Sequence, residues 1–374
     1  MYQIKKYKQS IISGDSDKDM EETLNQHIEL IVKGLNNSFK GINSIVLYGG
    51  YGRGEGSWIF EENGNCRPYN DYDILIVIEK KIPIERIEVI RKELAKQIGI
   101  RWVDISQMTS TELRKIQPSI YSYDLKYASK VIHGDQSVLD FIPEINPAKL
   151  PLKEIEILFF TRLWTLLGSL DENGFGCDLV GENSRFFRNQ MAKAILAAVD
   201  VLLLVVGAYD ASYCERVERI AKLYPGKDDV LKLSRWALTE KLSPQVPMMH
   251  PEEIRELYRS VHSLFFREMY RGLSLHFGRP ISNPVNIEYN IKWLPKTIMR
   301  RLWCFVKFRS LRMEQQISIM LAQSYIAAAW NTDGINEKWL SRGITFLRRI
   351  DDKVNHQINW DEARLEVARL RMKI

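Results

Sequence analysis

Between residues 44 and 78 the chain carries its tightest constraint: an apolar strand, a turn crowded with glycine, and a second strand that opens on paired acids. Ser44 to Leu47 reads as a short strand running into Leu47-Tyr48-Gly49-Gly50-Tyr51-Gly52-Arg53-Gly54-Glu55-Gly56-Ser57. Glycine is needed where a backbone takes positive φ or must approach a ligand with no Cβ in the way. A glycine turn after a strand also aligns backbone N–H groups, a common way to hold phosphate. Asn70-Asp71-Tyr72-Asp73-Ile74-Leu75-Ile76-Val77-Ile78 follows. Alternate residues of a strand share a face, so Asp71 and Asp73 are expected to project side by side. Like charges so placed are unfavourable unless a cation lies between them, and hard oxygen ligands suit Mg²⁺. The run Ile74 to Ile78 reads as a strand buried on both faces. Asp104, in the short strand Ile100-Arg101-Trp102-Val103-Asp104-Ile105, offers a third carboxylate. If that strand lies beside the first, three acids converge and two metal ions can be held for an in-line displacement at phosphorus.

Gly-Gly-Tyr-Gly-Arg-Gly-Glu followed by Asp-x-Asp at a strand start resembles the polymerase-β-like nucleotidyltransferase superfamily, most nearly the loop of the uridylyltransferases that modify the PII signalling protein. The resemblance covers residues 1–135 at the level of fold, with only these short motifs specific. It implies an α+β protein: a small mixed β-sheet nucleotidyltransferase core with helices on one face, followed by a mostly α-helical C-terminal region. It also implies two Mg²⁺ ions held by Asp71, Asp73 and Asp104, and transfer of a nucleoside monophosphate from an NTP, ATP being the expected donor, to an acceptor. Gly49, Gly50, Tyr51, Gly52 and Arg53 would then line the nucleotide, the backbone N–H groups around Gly49, Gly50 and Tyr51 facing the leaving pyrophosphate. Arg53 either salt-bridges Glu55 or reaches a phosphate. Twenty residues separate Gly50 from Asp71, more than is usual in the family, so Trp58 to Tyr69 is expected to loop out as an insertion. Either motif alone also occurs as an ordinary solvated turn; the weight lies on their order along one strand–loop–strand frame.

With 374 residues the chain has room for two or three domains with apolar cores. The expected division is a nucleotidyltransferase core over 1–140, a helical domain flanking the active site over 151–285, and a basic helical region over 290–374. Pro143, Pro147 and Pro151 mark the first linker, and Pro244, Pro247 and Pro251 a later break. Within the core, Ser16 and Asp19 suggest a capping box for a helix ending at Gly34, residues 84–97 a helix closed by Gly99, and Thr109-x-x-Glu112 another cap. Lys130 to Asp135 reads as a last strand and turn, with His133 structural. Long helices are expected over 152–170, 184–207 and 252–275. The net charge of +6 permits an anionic partner without requiring one, since an NTP alone accounts for a local positive patch. Cys66, Cys177, Cys214 and Cys304 form no Cys-x-x-Cys pair, which argues for reduced thiols in a cytoplasm and against a zinc site or disulfide framework. The N-terminus lacks the apolar core of a signal peptide, and the apolar run Ala194 to Ala208 is interrupted by Asp200 and too short to span a bilayer. It reads as a core helix.

The segment Asn183 to Asp210 resembles the helix beside the active site of many small nucleotidyltransferases, where a basic residue touches the triphosphate. Lys193 fits that habit better than Arg185 or Arg188, a solvated or salt-bridged lysine being the alternative. Tyr209 and Tyr213 are candidates to stack on the base or are simply buried helix-end tyrosines. From Tyr289 to Met313 there is no acid, and 296–312 forms a basic amphipathic stretch. Such a helix suits RNA or an anionic membrane surface, although packing on a bundle through its apolar face is the favoured reading. The expected acceptor is a small molecule or a protein, with RNA ends as the alternative. A non-catalytic nucleotide-sensing or membrane-surface scaffold is a rival class, against which intact Asp71, Asp73 and Asp104 argue.

Overall fold

The structure, a computed structural model, describes residues 14–60, 66–69, 71–293, 312–331 and 333–372. It is an α+β protein with a small mixed sheet and a largely helical remainder. Two compact units interleave along the chain: the first comprises 1–151, 206–226 and 238–244, the second 152–205, 227–237 and 245–374. The division expected from the sequence runs in chain order, whereas here 206–226 and 238–244 group with the N-terminal residues.

The first unit begins with α1 (Gly14–Ser38), β1 (Ile42–Tyr48) and a single helical turn over Gly49–Gly52. A hairpin of β2 (Trp58–Phe60) and β3 (Cys66–Pro68) occupies the expected insertion. Then come β4 (Tyr72–Ile78), α2 (Ile84–Ile98), β5 (Val103–Met108), α3 (Ser110–Arg114), α4 (Ile120–Tyr127) and β6 (Lys130–Gly134). The sheet order is β5-β4-β1-β6, with β1 antiparallel to both neighbours and β4 parallel to β5. A parallel pair needs a crossover, and α2 supplies it.

Strand alternation decides which side chains meet the helices. Ile45 and Leu47, Tyr72, Ile74, Ile76 and Ile78, and Val103 and Ile105 form one core with Ile31 and Leu35 of α1 and Ile87 and Leu94 of α2. Each such fully buried side chain contributes roughly 1.5–3 kcal/mol. Val46, Leu75 and Val77 are buried on the opposite face, so Ile74 to Ile78 is enclosed on both sides, as its unbroken apolar run suggests.

Several local signals act as their residue types dictate. Gly99 closes α2 in the left-handed conformation. Thr109 and Glu112 form a reciprocal cap on α3, the Glu112 N–H donating to Thr109 Oγ1 at 3.2 Å and the Thr109 N–H to Glu112 Oε2 at 2.9 Å. Gly34 does not end α1, which continues to Ser38; a Cβ there would lie 2.7 Å from Leu94 Cδ2, so this glycine lets α1 and α2 pack closely. The cap expected at Ser16 falls outside the described side chains. His133 bridges to α1, its Nε2 3.1 Å from Asn36 Nδ2.

The chain then passes through α5 (Lys153–Leu167) and α6 (Gly181–Val205) of the second unit, α7 (Tyr213–Leu223) of the first, and α8 (Asp228–Leu242), whose last residues belong to the first unit. The second unit continues with α9 (Pro251–Phe277), α10 (Pro284–Trp293), α11 (Arg312–Ala329), the two-residue strands β7 (Trp330–Asn331) and β8 (Gly334–Ile335), α12 (Glu337–Arg348) and α13 (Trp360–Arg371). Ala194 to Leu204 of α6 are all buried, the core helix their composition indicates. No described helix is long and apolar enough to cross a membrane. The basic stretch 296–312 lies outside the described residues, apart from the backbone of Arg312.

At the end of β6, Gly134 takes φ 85°, and a Cβ there would stand 2.0 Å from the Asn43 carbonyl oxygen. Backbone cannot yield as a side-chain tip can, so Gly134→Ala is expected to lower stability by about 2 kcal/mol or more in urea denaturation of the full-length protein.

Candidate active site

The parallel register of β4 and β5 sets Asp73 directly beside Asp104, and the antiparallel register of β1 sets Tyr48 beside Asp73. Since Ile74 and Ile105 face the helices, Asp73 and Asp104 point to the other side of the sheet. Asp71 precedes β4, is exposed, and lies close enough to raise the pKa of both. The three acids singled out in the sequence therefore act on one another electrostatically at one corner of the sheet.

Burial, followed by the negative charges of Asp71 and Asp104, pushes the Asp73 carboxyl up to about 7, against the opposing pull of Lys241 and Arg53. Asp104 is also raised, chiefly by burial, with Arg91 opposing the shift. Arg91 Nη2 donates to Asp104 Oδ1 at 3.0 Å. Tyr48 and Tyr121 wall the same face, their rings edge to face at 5.8 Å. Burial drives both phenols above their ordinary range and keeps them protonated. Ser106, next but one after Asp104, hydrogen-bonds the Ile74 carbonyl at 3.2 Å and tightens the β4–β5 pair.

Gly49 follows β1 with φ 64°, and a Cβ on it would fall 1.9 Å from Asp73 Oδ2. Glycine is thus required twice over, by conformation and by the carboxylate lying against it. The helical turn Gly49–Gly52 has no side-chain cap from Tyr48. Gly50 and Gly52 complete this turn. Tyr51 contributes only main chain, because its ring packs on Tyr72 and Trp58 and its hydroxyl donates to the Ser57 carbonyl at 2.6 Å.

Arg53 takes the local of its two expected roles. Its Nη1 donates to Asp124 Oδ2 at 3.1 Å and to the Ala211 carbonyl at 3.2 Å, its Nε stands 3.7 Å from Glu55 Oε2, and its guanidinium lies 4.8 Å from the Tyr213 ring centre. Glu55 is completely buried and caps α7: it accepts from Ser212 Oγ at 2.7 Å and from the backbone N–H groups of Tyr213 and Cys214 at 2.9 and 3.1 Å. A carboxylate at a helix N-terminus satisfies orphan donors and meets the positive end of the helix dipole. Tyr209 is buried, donating to Asp124 Oδ1 at 3.0 Å and accepting from Arg216, whose Nη2 also approaches Asp124 Oδ2 at 3.4 Å. Tyr209 and Tyr213 are thus engaged with this network. Lys193 lies half-buried in α6 of the second unit.

Sequence reasoning did not single out Asp124, Arg216 or Lys241. Lys241 is buried near the end of α8, and its Nζ lies 3.2 Å from Ser57 Oγ, which itself donates to the Lys241 carbonyl. In Leu-Thr-Glu-Lys-Leu it reads as one charge of an amphipathic helix; only tertiary placement brings it into the field of Asp73.

A divalent cation suits the donor chemistry of this corner: hard carboxylate oxygens, of which that of Asp73 is driven toward protonation by burial first and by the charges of Asp71 and Asp104 after it. Among the described residues no three His, Cys, Asp or Glu side chains form a closed metal-binding group, and Asp104 is paired with Arg91. No protein-family model matches the chain, and no curated protein matches it.

Because the folded pKa of Asp73 exceeds its ordinary 3.8, its stabilising contribution is complete below that value and disappears as pH rises through about 7. Asp71, Asp104, Lys241 and Arg53 are the charges facing it. Asp73→Asn is expected to remove this pH dependence and to raise stability at about pH 8 by about 1–3 kcal/mol, read from urea denaturation across pH. Glu55→Ala should cost about 2–4 kcal/mol in the same assay, since it leaves three donors, two of them backbone N–H groups, without their acceptor.

Proposed function

We propose that the protein is a Mg²⁺-dependent nucleotidyltransferase, moving NMP from an NTP, with ATP the expected donor, to a hydroxyl of a small-molecule or protein acceptor. The observation that carries this reading is the in-register pairing of Asp73 with Asp104 on the sheet face lined by Gly49, with Asp71 close enough to share their field. Asp71 and Asp73 would hold one Mg²⁺, and the same pair with Asp104 a second. Bound there, the ions supply charge neutralisation at the phosphates and acidify the acceptor hydroxyl.

The chain's own groups then have distinct tasks. Asp104 accepts the proton of the acceptor hydroxyl. The acceptor oxygen bonds to the α-phosphorus as the bond to the β-phosphate oxygen breaks, and pyrophosphate leaves with the electron pair. Backbone N–H groups of the Gly49–Gly52 turn would face the charge that develops on it. Arg53 supports the turn through Asp124 and Tyr213 and, with Lys241, contributes fixed positive charge near Asp73.

Incubation of the purified protein with each NTP, Mg²⁺ and a cell extract, followed by mass analysis, is expected to yield one class of acceptor heavier by one nucleotide. Asp71→Asn combined with Asp73→Asn should abolish the product, a loss of at least about a thousandfold, while the protein stays folded by circular dichroism. Retained transfer in that folded double variant refutes the assignment.

A further inference from the structure

Arg91 stands in an unusual place for a charged residue. It lies between Ile87 and Leu94 on α2, on the stripe that faces the sheet, and its side chain is only 13% exposed. From there it reaches the edge strand β5. Nη2 donates both to Asp104 Oδ1, at 3.0 Å, and to the backbone carbonyl of Ile105. Nη1 is paired with Glu88, and the guanidinium lies 5.7 Å from the ring centre of Trp102. Three anchors fix the guanidinium independently of Asp104: the Ile105 carbonyl, Glu88 and the indole. The carboxylate that an acidic cluster needs as its third member is therefore held by a prearranged cation.

We propose that Arg91 is a positioning residue that keeps Asp104 aside at the β5 edge, and that Asp104 exchanges Arg91 for a divalent cation when that cation arrives at Asp71 and Asp73. The inference rests on the metal-binding part of the proposed function and adds the step by which the third carboxylate joins. In the metal-free protein the ion pair offsets the repulsion of Asp104 with Asp73 and Asp71. The same pair opposes metal binding twice: it occupies one oxygen of Asp104, and it leaves a fixed positive charge near the incoming ion. A cation that arrives already bearing phosphate oxygens shares its charge with them and is less repelled, so nucleotide and third carboxylate are recruited together.

The test is Mn²⁺ binding to the full-length protein without nucleotide, measured by isothermal titration calorimetry. Arg91→Gln should bind Mn²⁺ roughly tenfold more tightly than wild type, the effect of removing one nearby charge at the site's partial exposure. Adding Asp104→Asn to Arg91→Gln should erase most of that gain, because the gain is routed through the released carboxylate. Equal affinity of wild type and Arg91→Gln, binding in neither, or a gain that survives Asp104→Asn overturns the proposal. If Arg91→Gln is unfolded by circular dichroism, Arg91→Lys keeps the charge but lacks the fork that reaches Asp104 and Ile105 together; it should bind severalfold more tightly than wild type, and unchanged affinity overturns the proposal equally. These readouts need no turnover. Tightened Mn²⁺ binding with no NMP transfer from any NTP would reject the proposed reaction and leave the exchange standing; transfer with unaltered Mn²⁺ affinity would do the reverse.

Discussion

Carboxylates on adjacent strands of a sheet stand about 5 Å apart at the backbone, and two that are both ionised repel by roughly 1–3 kcal/mol in a partly solvated setting. The parallel register of β4 and β5 imposes that situation on Asp73 and Asp104, and Asp71 adds to it. The rest of the corner is arranged around this repulsion. Burial, with this repulsion added to it, makes Asp73 hold its proton more tightly, Asp104 pairs with Arg91, and Lys241 and Arg53 supply positive charge from outside the sheet. The aliphatic strand core makes the arrangement durable, since a slip of one residue would turn Asp73 into the helix-facing core and Ile74 out of it.

The glycine turn has two sides with different work. On one side Gly49 lies against the Asp73 carboxylate with no room for a side chain. On the other, Arg53 and Glu55 tie the turn to α7 through Asp124, the Ala211 carbonyl, the Ser212 hydroxyl and the Tyr213 and Cys214 N–H groups. The charged residues within the motif thus serve the position of the turn. Tyr51, between them, is a core residue whose ring meets Tyr72 and Trp58.

What the sequence made legible follows the range of the interactions involved. The buried strand Ile74–Ile78, the helix closed by Gly99 and the cap of Thr109 with Glu112 depend on neighbours within a few residues and could be read directly. The face shared by the carboxylates followed from alternation, but their register with β5 did not, because pairing between separate strands leaves no local mark. Gly34 misled because its reason is Leu94, a residue on another helix. The partners of Glu55 lie 157–159 residues away, and no spacing rule announces them. Helices α7 and α8 went unread although Cys214, Val217 and Ile220 recur on one face of α7, a periodicity obscured by the charges between them.

The cap that Glu55 places on α7 bears on biosynthesis. On a ribosome, the glycine turn emerges early, yet the donors that satisfy its buried carboxylate are encoded more than 150 residues later, and the lysine in the field of Asp73 later still. The N-terminal sheet can collapse around its aliphatic strands as it is made, but the turn acquires its final support only after residue 241 has left the exit tunnel. A truncation or domain fusion placed at residue 151 would therefore divide the chain where the linear pattern invites a cut and the three-dimensional unit does not end.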